Sequence, residues 1–219
     1  MQLTKFDYLN AMGILSWQLK SSHQDPSLPK PQLESLAQLK NTVAACTACA
    51  LHQSRTQTVF GVGNPNATLM IIGEAPGFYE DQKGEPFVGR AGQLLNAMLQ
   101  SIGLTREEVF IANILKCRPP NNRDPIKSEV AECTPYLEKQ IALIQPKLLL
   151  ALGRIAAHYL LNSTASLNQI RGKILSFGER QTPLIVTYHP AYLLRTPRDK
   201  GKAFQDLHLV LQNLNIKEK

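Results

Sequence analysis

From residue 33 onward the chain alternates two kinds of apolar pattern. Leu33, Leu36 and Leu39 recur at helical spacing and predict a helix running into Cys46. Short apolar runs then interleave with amphipathic stretches. Residues 68–72, 109–115, 147–152 (after Pro146) and 184–187 (after Pro183) read as strands, with Gly73 and Gly153 closing the first and third. Leu94, Leu95, Met98, Leu99 and Ile102 form the stripe of a helix ending at Gly103. Val130, Leu137, Ile141 and Ile144 mark a helix over 128–144, and 155–161 and 203–214 are helical as well. Strand runs without polar alternation, separated by helices, belong to an α/β chain whose mostly parallel sheet is covered on both faces.

Ahead of this pattern, Phe6, Leu9, Met12 and Trp17 fall on one side of a short helix within residues 1–20, interrupted at Gly13. Pro26, Pro29 and Pro31, set among polar residues, read as a linker. The expected organisation is an N-terminal extension, 1–31, followed by one domain, 32–219, long enough to bury its own core.

Composition agrees: 43% hydrophobic and 19% charged residues is an ordinary globular balance. No apolar run reaches the length of a membrane helix, and the first residues lack a basic segment followed by an apolar one. A cytoplasmic protein without a membrane partner is therefore expected. Charge adds more, because 24 Lys and Arg against 17 Asp and Glu leave a net +7 that is unevenly spread. Lys116, Arg118, Arg123 and Lys127 form one basic window, and Arg171, Lys173, Arg180, Arg195, Arg198, Lys200 and Lys202 another. Clustering of this kind suits a polyanion such as nucleic acid, the competing reading being a solvated basic face.

Loops beyond the carboxyl ends of parallel strands line the ligand crevice. That rule gathers Glu74, Asn113 and His189, with Gly153 and Arg154, on one edge of the sheet. The four cysteines pose a separate question. Cys46 and Cys49 are three apart, whereas Cys117 and Cys133 stand alone. Disulfides are disfavoured in the cytosol, and a zinc ribbon would need a second close pair. An iron–sulfur cluster and an irregular zinc site both suit four such thiolates, and spacing does not separate them.

Five motifs then occur in order: Gly61-x-Gly63-Asn64-Pro65; Gly73-Glu74-Ala75-Pro76-Gly77-Phe78-Tyr79-Glu80-Asp81; Gly84-x-Pro86-Phe87-Val88-Gly89-Arg90-Ala91-Gly92; Asn113-x3-Cys117-Arg118-Pro119-Pro120-x2-Arg123-x-Pro125; and His189-Pro190-Ala191-Tyr192-Leu193-Leu194-Arg195. From about Cys46 to Arg195 the chain closely resembles the iron–sulfur uracil-DNA glycosylases called family 4, all four cysteine positions included. The resemblance implies a three-layer α/β/α sandwich around a mostly parallel four-stranded sheet. It implies hydrolytic removal of uracil from single- and double-stranded DNA, and a structural [4Fe–4S] cluster on Cys46, Cys49, Cys117 and Cys133.

Roles follow residue by residue. Phe87 would stack on the flipped base, and the Asn113 amide would match uracil N3–H and O4 while rejecting cytosine. His189, as a neutral imidazole, would donate to uracil O2 as the leaving group becomes anionic. Glu74 would stabilise the cationic sugar and orient or deprotonate water, and the amides of Glu74 and Ala75 would bond the base. Glu80 would wall off C5 against the thymine methyl, and Asp81 would brace its loop. Arg90, Arg118, Arg123, Arg195 and the Arg171–Lys173 loop would meet phosphates and make binding salt-dependent.

Other readings are a superfamily member with a different damaged-base preference, or an iron–sulfur DNA-binding module without catalysis. A metal-dependent nuclease would need grouped carboxylates, for which only Glu74, Glu80 and Asp81 come near. Tyr8-Leu9-x2-Met12-Gly13-Ile14-x2-Trp17 is somewhat similar to the short peptide by which the bacterial psi subunit docks on the clamp loader. Residues 1–20 are therefore a candidate tether to replication machinery. A monomer is expected.

Overall fold

Ser35 starts the first described helix, α1 (Leu36–Ala44), by a reciprocal cap. Its hydroxyl accepts the Gln38 N–H at 3.1 Å, and the Gln38 side chain accepts the Ser35 N–H at 2.7 Å. This computed structural model describes residues 11–13 and 35–214. The chain divides into two units, 1–33 and 34–219. Of the first, only Ala11, Met12 and Gly13 are described, so the helix expected over 1–20 and the proposed tether lie largely outside the described residues.

After α1 come β1 (Val62–Gly63), β2 (Leu69–Gly73), α2 (Phe78–Lys83), α3 (Arg90–Gln100), β3 (Phe110–Asn113) and α4 (Lys127–Ile144). Then follow β4 (Leu148–Leu152), α5 (Gly153–Leu161), α6 (Leu167–Ile170), β5 (Ile174–Phe177), β6 (Thr182–Thr187), α7 (Pro190–Arg195) and α8 (Lys200–Leu214). They build a six-stranded sheet in the order β1-β3-β2-β4-β6-β5. The four inner strands are parallel, as expected, and each edge carries an antiparallel strand that corrects the count of four. Both additions are hard to see in sequence. β1 is two residues long, and β5 alternates exposed with half-buried positions, as an edge strand does.

Successive strand residues face opposite layers, and both layers are apolar. Met70, Ile72, Ala112, Leu149, Ala151 and Val186 pack with α1, α4 and α5; Leu69, Ile71, Ile111, Leu148, Leu150 and Ile185 pack with α3 and α8. Each fully buried aliphatic contributes roughly 1.5–3 kcal/mol, so neither face tolerates a polar residue. This is why the strands lack alternation.

From β2 the chain crosses through α3 to its neighbour β3, then returns through α4 to β4 on the other side of β2. Connections thus diverge between β2 and β4, the position where open α/β sheets bind ligands. The expected strand 109–115 ends at Asn113, because the Ile114 and Leu115 N–H groups turn to the carbonyls of Gly73 and Glu74, both at 3.0 Å. Two motif loops are thereby tied together. Among the described residues no helix is long and apolar enough to cross a membrane.

Candidate active site

Gly73 and Asn113 are paired at the ends of β2 and β3. A Cβ at Gly73 would lie 2.3 Å from Asn113 Oδ1 and 2.8 Å from Phe87 Cζ. Only glycine lets the amide and the ring meet over the strand ends. Asn113 is buried, and its Oδ1 has no hydrogen-bond partner. Leaving such an acceptor unpaired costs about 1–3 kcal/mol, which marks it as a group awaiting a donor. Its carbonyl is fixed from behind. The buried Lys116 ammonium donates to Asn113 O at 2.7 Å and to Gln140 Oε1 at 2.6 Å, and Gln140 Nε2 donates to Phe60 O at 2.8 Å. Burial lowers the Lys116 pKa to about 8, with Cys133 opposing.

Phe87 is buried with φ 54°, a left-handed backbone that costs a non-glycine residue about 1–3 kcal/mol. Two features hold it there. The Arg106 guanidinium donates to the carbonyls of Pro86 and Phe87, the latter at 3.3 Å. Gly92, in the first turn of α3, leaves room where a Cβ would lie 1.7 Å from Phe87 O. Arg106 lies outside every motif and carries no sequence signal for this role. The Phe87 ring is 5.6 Å from that of His189, tilted by 33°.

His189 caps α7, its Nδ1 accepting the Ala191 N–H at 3.2 Å. A neutral ring bonded this way carries its proton on Nε2. Burial, and then the Arg195 charge, push the His189 pKa down to about 4, so the ring is neutral at physiological pH. Glu74 shows the opposite shift. Burial, then the negative charge of Asp124, raise its pKa to about 7 against the pull of Arg154. Glu74 and His189 open on one cleft of about 810 Å³, lined also by Asp124, Arg154, Asn168, Tyr188, Arg198 and Lys202. A volume of this order accommodates a drug-sized ligand.

Glu80 lies at the loop mouth, where a Cβ on Gly77 would meet its Oε2 at 2.7 Å. Ala75 packs partly against the core. Asp81 turns inward, and its carboxylate oxygens accept the Thr56 N–H at 3.0 and 3.1 Å. That bond fastens α2 to the segment following Cys49.

The six basic candidates fall into two groups. Arg90, Lys173 and Arg195 are exposed, and Arg118 is half-buried over the Phe78 ring, 5.0 Å from its centroid. Arg123, though exposed, and the half-buried Arg171 each pair with a buried carboxylate. Arg123 donates to Glu129 at 2.9 and 2.5 Å. Arg171 donates at 3.1 and 2.9 Å to the fully buried Asp206, 35 residues away in sequence, and lies over the Tyr188 ring. Arg154, Arg198 and Lys202 join the cleft lining, a role that charge clustering had left unassigned.

The four cysteines are free thiols around one small cavity, with Val43, His52, Arg55 and Tyr136. Arg55 donates to Cys117 Sγ at 3.1 Å and the Lys116 N–H to Cys133 Sγ at 3.2 Å. Burial raises both thiols, Cys133 to about 11, with Arg55 and Lys116 opposing. Unligated, they are poor nucleophiles. A bound metal group would deprotonate them, and these donors and cations would then offset the added negative charge. Among the described residues no three His, Cys, Asp or Glu side chains gather closely enough around one point for a single ion. The four thiols do line one cavity, and four thiolates are a donor set that suits an iron–sulfur cluster.

The chain is similar to known proteins along most of its length. Residues 60–210 match the family described as the Uracil DNA glycosylase superfamily. The type-4 uracil-DNA glycosylase of Archaeoglobus fulgidus is 45% identical over 172 residues, covering 76% of this chain and 86% of that protein. That of Thermotoga maritima is 44% identical over 156 residues, 70% of this chain and 80% of its own length. A type-5 enzyme of Thermus thermophilus matches less, at 31% over 116 residues, 46% of this chain and 52% of its own. With most of its length matched and the glycine-framed strand ends in place, this chain belongs to the uracil-DNA glycosylase superfamily, in its type-4 branch.

Proposed function

We propose that the protein is a monofunctional uracil-DNA glycosylase that flips uracil out of DNA and hydrolyses its N-glycosidic bond, leaving an abasic site for base excision repair. The observation that carries this reading is the buried, unpartnered Oδ1 of Asn113 beside the Phe87 ring. Uracil N3–H supplies the missing donor, and the amide nitrogen can donate to O4. Cytosine has an acceptor at N3 and a donor at its 4-amino group, so it leaves both amide groups unpaired and is rejected. Stacking on Phe87 offsets part of the cost of unpairing the base.

Hydrolysis then divides between two side chains. The bond from C1′ to N1 breaks, its electrons leave with the base, and negative charge collects at O2. His189, neutral and protonated on Nε2, donates to that oxygen; a neutral donor acts without first binding a proton. Glu74, about half ionised at pH 7, stabilises the cationic sugar and takes the proton of the water that bonds to C1′. The backbone amides of Glu74 and Ala75 bond the base, and Glu80 shields C5 from a thymine methyl. Arg90, Arg118, Arg123, Lys173 and Arg195 contact phosphates, while Arg171 fixes the loop that presents Lys173. All proposed groups come from one chain, so a monomer suffices.

A [4Fe–4S] cluster on Cys46, Cys49, Cys117 and Cys133 belongs to the same proposal. Bound there, it would cross-link the Cys46–Cys49 segment, the loop after β3 and α4, and no step of bond cleavage is assigned to it. The reading is tested by cleavage of a uracil-containing oligonucleotide in excess chelator, using anaerobically purified protein and its Glu74→Ala and Asn113→Ala variants. Alkali-labile sites with the wild type and strong loss in both variants are expected. No cleavage by brown, cluster-loaded protein would overturn it in favour of another damaged base or a binding module.

A further inference from the structure

We propose that Phe78 and Tyr79 form a stacking platform for an unpaired nucleobase flanking the uracil in single-stranded DNA. The inference rests on the glycosylase reading above and adds a subsite to it. Both residues open α2, immediately after the loop carrying Glu74. The two residues are 49% and 63% exposed, and the rings meet edge to face with centroids 5.4 Å apart. They are not core residues that fail to reach the interior, because the only buried residue of this six-residue helix is Asp81. The helix is anchored by its acid and turns its aromatics to solvent.

Charge identifies the occupant. Arg118 stands over the Phe78 ring at 5.0 Å, and Tyr79 lies beside the turn into α3, where a Cβ on Gly89 would be 3.6 Å from its ring. Arg90 follows directly. An exposed aromatic pair with a guanidinium over one ring, and the exposed Arg90 next in sequence to the glycine beside the other, matches a strand whose bases stack while basic side chains meet its phosphates. A protein partner would gain little from cations set so close to so small an apolar surface. The platform is also rigid before binding, since the Thr56 N–H holds Asp81 and the Gln82 side chain donates to Thr56 Oγ1 at 2.8 Å. In a duplex the flanking bases stay paired and stacked, so the platform acts on single strands.

The test is a cycle between protein and DNA. Phe78→Ala and Tyr79→Ala are compared with wild type on a single-stranded uracil oligonucleotide, and on the same oligonucleotide with abasic spacers on both sides of the uracil. One base–aromatic stack is worth about 1–3 kcal/mol, so KM on the normal strand should rise about 5- to 150-fold. On the spacer strand wild type and variants should converge, and Phe78→Trp should restore KM on the normal strand. A loss of equal size on both strands, or a loss in kcat with KM unchanged, would overturn the platform and make the pair a brace for the Glu80 loop. Failure of wild type to cleave either strand would refute the glycosylase reading itself, so the two failures are distinct.

Discussion

Glu74 offers the sharpest quantitative test, because in the proposed mechanism its ionisation sets the rate, and its environment sets its ionisation. With a pKa of about 7 the carboxylate is about one-tenth ionised at pH 6 and about nine-tenths at pH 8. With the ionised form as the proposed base, kcat/KM should rise about tenfold between those values, with a midpoint near 7. An ordinary carboxyl, titrating near 4.5, would give a flat profile there. His189 titrates near 4 and is neutral throughout, so no second inflection is expected between pH 5 and 9. Asp124→Asn removes the second largest cause of the upward shift and should move the midpoint down; Arg154→Gln should move it up. The Asp124 side chain is 72% exposed, so its effect should shrink as salt rises. The assay is single-turnover excision from a uracil oligonucleotide across this range at constant ionic strength, which keeps DNA affinity fixed. A flat profile, or a midpoint unmoved by both substitutions, would refute the assignment of Glu74 as the titrating base.

The same shift predicts a stability effect of opposite sign. A carboxyl whose folded pKa lies above its unfolded value destabilises the fold as pH rises from about 4.5 through 7. The full shift corresponds to roughly 3 kcal/mol, reduced to about 1–2 kcal/mol because the group opens on a cleft. Glu74→Gln should therefore raise Tm by about 2–8 °C at pH 8 and by much less near pH 5, a difference that thermal unfolding at the two pH values measures. Arg106→Met should free the Pro86 and Phe87 carbonyls and let the Phe87 backbone relax. The inhibition constant of free uracil should rise about tenfold, and the same change in a Phe87→Ala background should add little; equal penalties in both backgrounds would rule out a clamp acting through Phe87.

The inner sheet was legible because its strands are short, apolar on both sides and separated by amphipathic helices. Its edges were not, since a two-residue strand has no periodicity and the Ile174–Phe177 pattern is that of any half-exposed segment. Glu74, Asn113 and His189 could be gathered on one edge from the sequence because each lies at or just beyond the carboxyl end of a strand. Arg106, Lys116 and Asp206 could not, because their roles exist only through contacts made on folding. Arg171 shows the limit of charge clustering: a basic window counts guanidinium groups but does not tell which one meets a buried carboxylate 35 residues on. The neutral imidazole expected of His189 agrees with the structure, but its cause was out of reach, since the burial around the ring and the bond to its Nδ1 arise only on folding.

The places where local rules are broken converge on one edge of the sheet. Phe87 adopts a backbone suited to glycine, Asn113 keeps a buried acceptor without a donor, Glu74 resists ionisation and His189 resists protonation. Each is unfavourable alone, and a chain selected for stability alone would relax any of them by a single substitution. Their cost is offset by contacts that serve no other evident purpose: Arg106 on two carbonyls, Lys116 behind Asn113, and glycines at 73 and 92 where no Cβ fits. Strain supported this specifically points to a ligand that relieves it. A flat ring presenting N–H beside a carbonyl, and leaving as an anion toward a neutral imidazole, meets the demands of Asn113, Phe87 and His189 together. Hydrolysis then needs only a carboxylate that ionises near neutral pH, and Glu74 lies on the same cleft as His189.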